Sequence, residues 1–315
     1  MVRLADPHPP ADRSSSPSAS RSASRSAAAA ADRERSAPQW LPAAPGEPRG
    51  VLLVHGFSGS PYEMHLLAQA LHRRGFHVAV PLLAGHHRSL RALAESRYPD
   101  WLASADAALH ALWARVAERA AGRPRIAVVG FSMGGLLSIE LAQRYSATPA
   151  PAAAATAPGA PAIEAVAILA SPLWLSPTAE RGIRTLTRIP GLRRLFVPKL
   201  TGTDIRARDL APHRLRPLGM PLLALRSLVE LMAAARRDLP AVRQPALIAH
   251  GQHDHTAPYA CLAAFAAELG TPSEQLTCLS LPRSYHQLLL DVEREVVFDA
   301  VATHLLRYLG TPEAG

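Results

Sequence analysis

The stretch that most constrains this chain is RIAVVGFSMGGLL, Arg125 to Leu137. Ile126 to Val129 is an apolar run that reads as a short buried strand. Gly130-Phe131-Ser132-Met133-Gly134 follows it as a G-x-S-x-G. Leu136, Leu137, Ile139, Leu141 and Ala142 then continue at helical spacing. Strand, sharp turn and helix together form the context of a nucleophile elbow. The serine sits at the tip of the turn, in a strained backbone conformation, so that its hydroxyl is exposed. The flanking positions have little room for a Cβ, which accounts for Gly130 and Gly134. Gly135 lets the helix lie close to the sheet. The plainer reading is an ordinary strand-to-helix turn with a small residue at its tip.

The remaining chain repeats the same alternation. Strands are expected at Gly50 to Val54, Phe76 to Val80, Glu164 to Ala170, Pro245 to His250 and Gln275 to Leu281. Helices are expected at Met64 to Arg74, Pro99 to Ala121 and Asp291 to Leu309. This order argues an α/β fold with a mostly parallel sheet covered by helices on both faces. Residues 1–37 are rich in Ser, Arg and Pro and poor in large apolar residues, so they are expected to be a disordered tail. The core is expected over 38–172 and again over 240–315. Two stretches interrupt it. Residues 147–161, ATPAPAAAATAPGAP, read as a surface loop insertion without chemistry. Residues 173–239 show helical patterns but no clear strand, and fall where a helical cap can cover a site.

Composition narrows the function classes. With 315 residues and 48% hydrophobic content, the chain can bury one large α/β core. The net charge is +9, yet Lys199 is the only lysine. An Arg, Ala and Pro bias of this kind can follow from base composition, and no nucleic-acid motif accompanies it, so no nucleic-acid partner is expected. No apolar run is long enough for a membrane span. Cys261 and Cys278 show no C-x-x-C or zinc spacing and read as free buried thiols, which fits a cytoplasmic protein. No cofactor is expected.

A serine hydroxyl needs a base to accept its proton, and the base needs an orienting acid. Downstream of Ser132 the candidate acid is Asp254, in HGQHDHTAP, on the loop after a strand. The candidate base is His286, just after the last strand. Both fall at strand C-termini, the edge where open α/β sheets place their sites. The oxyanion of an acyl intermediate needs two backbone donors. The Met133 N–H, next to the serine, supplies one. The loop His55-Gly56-Phe57 supplies the other, through Phe57. His250, His253 and His255 beside Asp254 raise the thought of a metal, but alternating side chains on a short loop rarely converge, so no metal is expected. His86 and His87 read as solvated.

LLVHGFSGSPYEM, GFSMGG, HGQHDHTAP and SYHQLLLDVEREVVFDAVATHLL, in this order, resemble the α/β-hydrolase superfamily, and especially small bacterial carboxylesterases and monoacylglycerol lipases. The resemblance covers residues 50–145 and 164–309, weakly across the cap. It implies a triad at Ser132, Asp254 and His286, oxyanion donors at Phe57 and Met133, and a helical cap over an acyl pocket. One departure is Gly85-His86-His87, where many relatives have Gly-His-Gly. The implied activity is hydrolysis of carboxylic esters through an acyl-enzyme. A thioesterase or acyltransferase with the same triad, or a non-catalytic binding module, is the alternative. The cap carries Trp174, Leu175, Leu186, Ile189, Leu192, Leu195, Phe196, Val197, Leu200, Leu218 and Met220. Some of these are expected to line a pocket for medium-chain acyl groups, monoacylglycerols included. The arginines around them suggest transient contact with a lipid surface.

Overall fold

The computed structural model describes residues 34–146, 160–198, 204–207 and 219–310. Most of the expected tail and of the Pro/Ala-rich loop lies outside these residues, as do Leu200 and Leu218 of the expected cap. Of the expected tail, Glu34 to Ala37 are described. Ser36 is fully buried and accepts a hydrogen bond from Ser60 Oγ at 3.1 Å, so the folded chain extends back to Glu34.

The elements follow in the order β1 (Gln39–Leu41), β2 (Arg49–Val54), α1 (His65–Arg73), β3 (His77–Val80), α2 (Leu90–Glu95), α3 (Tyr98–Ala117), β4 (Arg125–Phe131), α4 (Met133–Arg144) and β5 (Ile163–Leu169). Then come α5 (Pro177–Leu186), β6 (Phe196–Pro198), β7 (Gly219–Pro221), α6 (Leu222–Asp238), β8 (Ala246–Gly251), α7 (Cys261–Glu268), β9 (Leu276–Leu281) and α8 (Arg294–Leu309). Seven strands form one sheet in the order β1-β3-β2-β4-β5-β8-β9. All neighbours in it are parallel except β1, which runs antiparallel to β3. This is the expected α/β-hydrolase sheet, covered on both faces.

The central strands are buried on both sides, which is why they read as continuous apolar runs rather than alternating ones. Leu52, Val54, Ile126 and Val128 face one core, with Trp101, Leu109, Leu136 and Met232. Val51, Leu53, Ala127 and Val129 face the other, with Leu67, Leu71, Val301 and Leu305. The period of two along each strand sorts the residues between the layers. α4 is buried from Met133 to Ala142, because α6 covers the side that would otherwise face solvent.

Several boundaries differ from the sequence expectation. α3 ends at Ala117, because Gly46 captures the chain beyond it: Gly46 N–H donates to Arg119 O, and Ala121 N–H donates to Gly46 O. The 173–239 stretch contains a short antiparallel pair, β6 and β7, where no strand was expected. Its last helix, α6, sends Ala224, Leu228, Leu231 and Met232 into the main core and Leu222, Leu225 and Val229 into a smaller cluster with Ile183. Cys278 is exposed rather than buried, because β9 is an edge strand with little covering it; Cys261 is buried. Among the described residues no helix is long and apolar enough to cross a membrane.

The register brings the strand ends together. Val54 lies opposite Gly130, Phe131 opposite Leu169, Leu169 opposite Ala249, and Gly251 opposite Leu281. The loops after β2, β4, β8 and β9 therefore open at one edge. The strand order also reverses between β2 and β4, since β3 lies on one side of β2 and β4 on the other. Such a switch point opens a crevice at the carboxyl ends of the strands.

Candidate active site

Ser132 stands at that crevice. It has φ 54° and ψ −121°, outside the regions that side chains prefer, and links β4 to α4. Such a conformation costs on the order of 1–3 kcal/mol, so the surroundings must impose it. Ser132 N–H donates to Leu169 O at 2.7 Å, and Ser171 Oγ donates to Ser132 O at 2.7 Å. A Cβ on Gly130 would lie 2.2 Å from Gly134 O, and one on Gly134 would lie 2.0 Å from Val54 O. Both positions exclude any larger residue because the opposing atoms are backbone.

The sequence-predicted residues converge here. His286 Nε2 lies 3.1 Å from Ser132 Oγ. His286 Nδ1 lies 2.8 Å from Asp254 Oδ2. An ionised carboxylate can only accept, so Nδ1 carries the proton and Nε2 is free to accept one from the serine. The Asp254 side chain is fully buried. Burial by itself would raise its pKa, but the charge of His286 and hydrogen bonds from His250, His286 and Ala257 outweigh it and hold the carboxyl well below the usual range. Its Oδ1 accepts from the Thr256 and Ala257 N–H groups at 2.8 and 2.7 Å. Ser132 and His286 are 8% and 4% exposed, so the chain of groups is largely shielded from water.

Phe57 follows the end of β2, and Met133 is the first residue of α4, directly after the serine. Among the described residues neither backbone N–H has a hydrogen-bond partner. Gly56 N–H, next to Phe57, donates to the buried Glu63 carboxylate at 3.2 Å. The Phe57 ring packs on Trp101 at 5.6 Å and edge-on to His86 at 6.1 Å.

His86 is therefore a core residue, not a solvated one. It is fully buried among His55, Phe57 and Trp101, which come from distant parts of the chain. Burial pushes His86 down to about 3 and His55 down to about 4. Both rings are neutral at physiological pH. The histidines around Asp254 take separate partners. His250 turns inward to Asp254, His253 meets the Tyr285 ring, and His255 turns to Asp204.

Two buried carboxylates that the sequence did not single out hold these loops in place. Asp204 accepts from His255 N–H at 2.9 Å and from Thr256 Oγ1 at 2.7 Å, immediately after the acid. Asp291 accepts from Tyr285 N–H at 2.8 Å, next to His286, and from Arg206 and Ala207 N–H at 2.9 Å. The 204–207 segment is thus tied to both loops. Phe57, Leu175, Val197 and Met220 pack around Ile183, Leu222, Leu225 and Val229. Leu186, Ile189, Leu195 and Phe196 are instead exposed on the outside.

Comparison with known proteins agrees with this architecture. The family described as serine aminopeptidase, S33, matches residues 46–293. A thermostable monoacylglycerol lipase from Bacillus sp. (strain H-257) is 28% identical over 263 residues, covering 84% of this chain and 92% of that protein. A carboxylesterase from Bacillus subtilis (strain 168) is 22% identical over 263 residues, covering 81% of this chain and 92% of its own. A solved structure from work on LipS and LipT, two metagenome-derived lipolytic enzymes, superposes with a TM-score of 0.71 at 26% identity, covering 87% of this chain and 98% of that one. The chain belongs to the serine aminopeptidase S33 family and is an α/β hydrolase of the lipase and esterase type.

Proposed function

We propose that this enzyme hydrolyses carboxylic esters of medium-chain acyl groups, monoacylglycerols among them, through a Ser132–His286–Asp254 triad and an acyl-enzyme. The observation that carries this reading is the continuous path from Ser132 Oγ to His286 Nε2 at 3.1 Å and from His286 Nδ1 to Asp254 Oδ2 at 2.8 Å. Ser132 Oγ attacks the ester carbonyl as its proton passes to His286 Nε2. Asp254 stabilises the imidazolium through Nδ1. The Phe57 and Met133 N–H groups, without other partners among the described residues, receive the oxyanion. His286 then gives its proton to the leaving alcohol. In the second half it takes a proton from water, which attacks the acyl carbon and frees the carboxylic acid and Ser132.

Residues 173–239 act as the cap in this reading, between core segments 38–172 and 240–315. The inward cluster of Leu175, Ile183, Val197 and Met220 beside Phe57 supports an acyl pocket. The similarity to a monoacylglycerol lipase and a carboxylesterase supports the substrate class. Transient contact with a lipid surface is supported by the outward set, Leu186, Ile189, Leu195 and Phe196, interleaved with the exposed Arg184, Arg188, Arg193 and Arg194. A cytoplasmic setting is part of the same proposal and fits two free thiols.

A fluorophosphonate probe followed by a p-nitrophenyl ester series tests it. The probe should label Ser132. kcat/KM should rise with chain length up to medium chains, since each buried methylene contributes up to about 0.8 kcal/mol. Activity that falls steadily from acetate upward would reject the acyl pocket. Absence of labelling would reject the nucleophile.

A further inference from the structure

Resting on the triad reading, we propose that His250 is a positioning residue for the acid, its Nε2–H fixing the plane of the Asp254 carboxylate. His250 is the penultimate residue of β8, just before the loop that carries Asp254, and is fully buried. Its Nε2 lies 3.2 Å from Asp254 Oδ2 and 3.2 Å from Ala257 O. A carbonyl oxygen can only accept, and so can an ionised carboxylate. Nε2 therefore carries the proton; its hydrogen bond goes to Ala257 O, and Asp254 Oδ2 lies against the same nitrogen at 3.2 Å. That assignment leaves Nδ1 as a bare acceptor, and it is buried with no partner among the described residues. A buried unsatisfied nitrogen is costly, and an apolar side chain of similar volume would avoid the cost. The one interaction that offsets it is the donation from Nε2.

The donor count shows what that donation adds. Asp254 Oδ1 is held by two fixed backbone N–H groups, those of Thr256 and Ala257. Oδ2 accepts from His286 Nδ1 at 2.8 Å, and His286 is the ring that gains and loses a proton during turnover. A carboxylate pinned at one oxygen can pivot about it. His250 holds a further N–H against Oδ2 from the sheet itself, anchored by its bond to Ala257 O, and this removes the pivot. His286 is then oriented against a stationary partner. Misplacement of a reacting group by about 1 Å can cost a hundredfold in rate.

The test compares His250→Leu with His250→Gln. Leucine fills the site without a donor. Glutamine places its Nε2–H near the position of the imidazole Nε2–H. His250→Leu should lower kcat by about tenfold to a hundredfold with KM within about twofold. Its Tm should change little, because loss of the unpartnered Nδ1 offsets the loss of the donor to Ala257 O. His250→Gln should recover most of kcat. Wild-type kcat in His250→Leu, an equal loss in His250→Gln, or a parallel fall of Tm and kcat would each overturn the proposal. Nitrogen-15 NMR of the unmutated protein gives a test that no folding defect can obscure: His250 should be the Nε2–H tautomer, and an Nδ1–H tautomer would overturn it. Asp254→Asn separates this inference from the one beneath it. If Asp254→Asn keeps wild-type kcat, the triad reading itself fails. If Asp254→Asn is crippled and His250→Leu is not, only the role of His250 fails.

Discussion

His286 Nε2 faces Ser132 Oγ across 3.1 Å, although 154 residues of chain separate them. No helix or strand contains both. The distance is set by the register of four neighbouring parallel strands, β4, β5, β8 and β9, which ends their loops at one level. Errors in that frame should therefore damage the site without touching either residue.

Gly134→Ala tests the frame on the serine side. The added Cβ would lie 2.0 Å from Val54 O and 2.8 Å from His55 O, both backbone atoms at the end of β2. They cannot turn away as a side chain would. Stability should fall by about 1–3 kcal/mol, as for overpacking in a core. The loop that carries Phe57 starts there, so kcat should fall as well. Denaturant melts and steady-state kinetics of the variant check both; wild-type values in each would contradict the close-packing argument.

Asp291→Ala tests the frame on the histidine side. The substitution takes the acceptor from the part-buried N–H groups of Tyr285, Arg206 and Ala207. A fully buried unsatisfied group costs about 1–3 kcal/mol, and these part-buried ones cost less each. A clear drop in Tm and in kcat is expected. Asp291→Asn keeps one accepting oxygen and should fall between the two. If Asp291→Ala melted with the wild type, the clamp would carry no weight.

These clamps also mark where sequence reading stops. Ser132, Asp254 and His286 were legible because each sits just past an apolar strand, within a short and distinctive string. Asp204 and Asp291 were not, because the first binds His255 51 residues away, the second joins Tyr285 to Arg206 85 residues away, and no local pattern announces either. His86 was misread for the same reason. On a Gly-His-His turn a ring faces solvent by default, and only the packing of Phe57 and Trp101 buries it. The β6–β7 pair escaped because strands as short as Phe196–Pro198 and Gly219–Pro221 leave no periodicity to detect. The sheet itself was legible, because strands buried on both faces form continuous apolar runs that Gly and Pro punctuate.

The buried histidines make stability depend on pH. Burial holds His55 at about 4, His86 at about 3 and His304 at about 4, against 6.5 ordinarily. Between those values and 6.5 the unfolded chain binds more protons than the folded one. Stability therefore rises with pH through this window and is lost on acidification, by about 1.4 kcal/mol per pH unit for each fully depressed group. His77 and His87 are lowered by burial too and act the same way, whereas Glu140, raised chiefly by burial, opposes them. Asp254 acts in the same direction as the histidines, but only as pH falls below its ordinary value of 3.8. Unfolding free energies measured from pH 7 to pH 5 should fall steeply, and a flat profile would contradict the burial of these rings as neutral groups.

The most direct measurement of the central claim is the turnover of a medium-chain p-nitrophenyl ester by Ser132→Ala. The account predicts a fall in kcat of about ten-thousandfold or more, with the melting temperature preserved, since the small side chain is lost from a turn that backbone contacts hold. Turnover near the wild-type rate in a folded Ser132→Ala protein would contradict the assignment of Ser132 as the nucleophile.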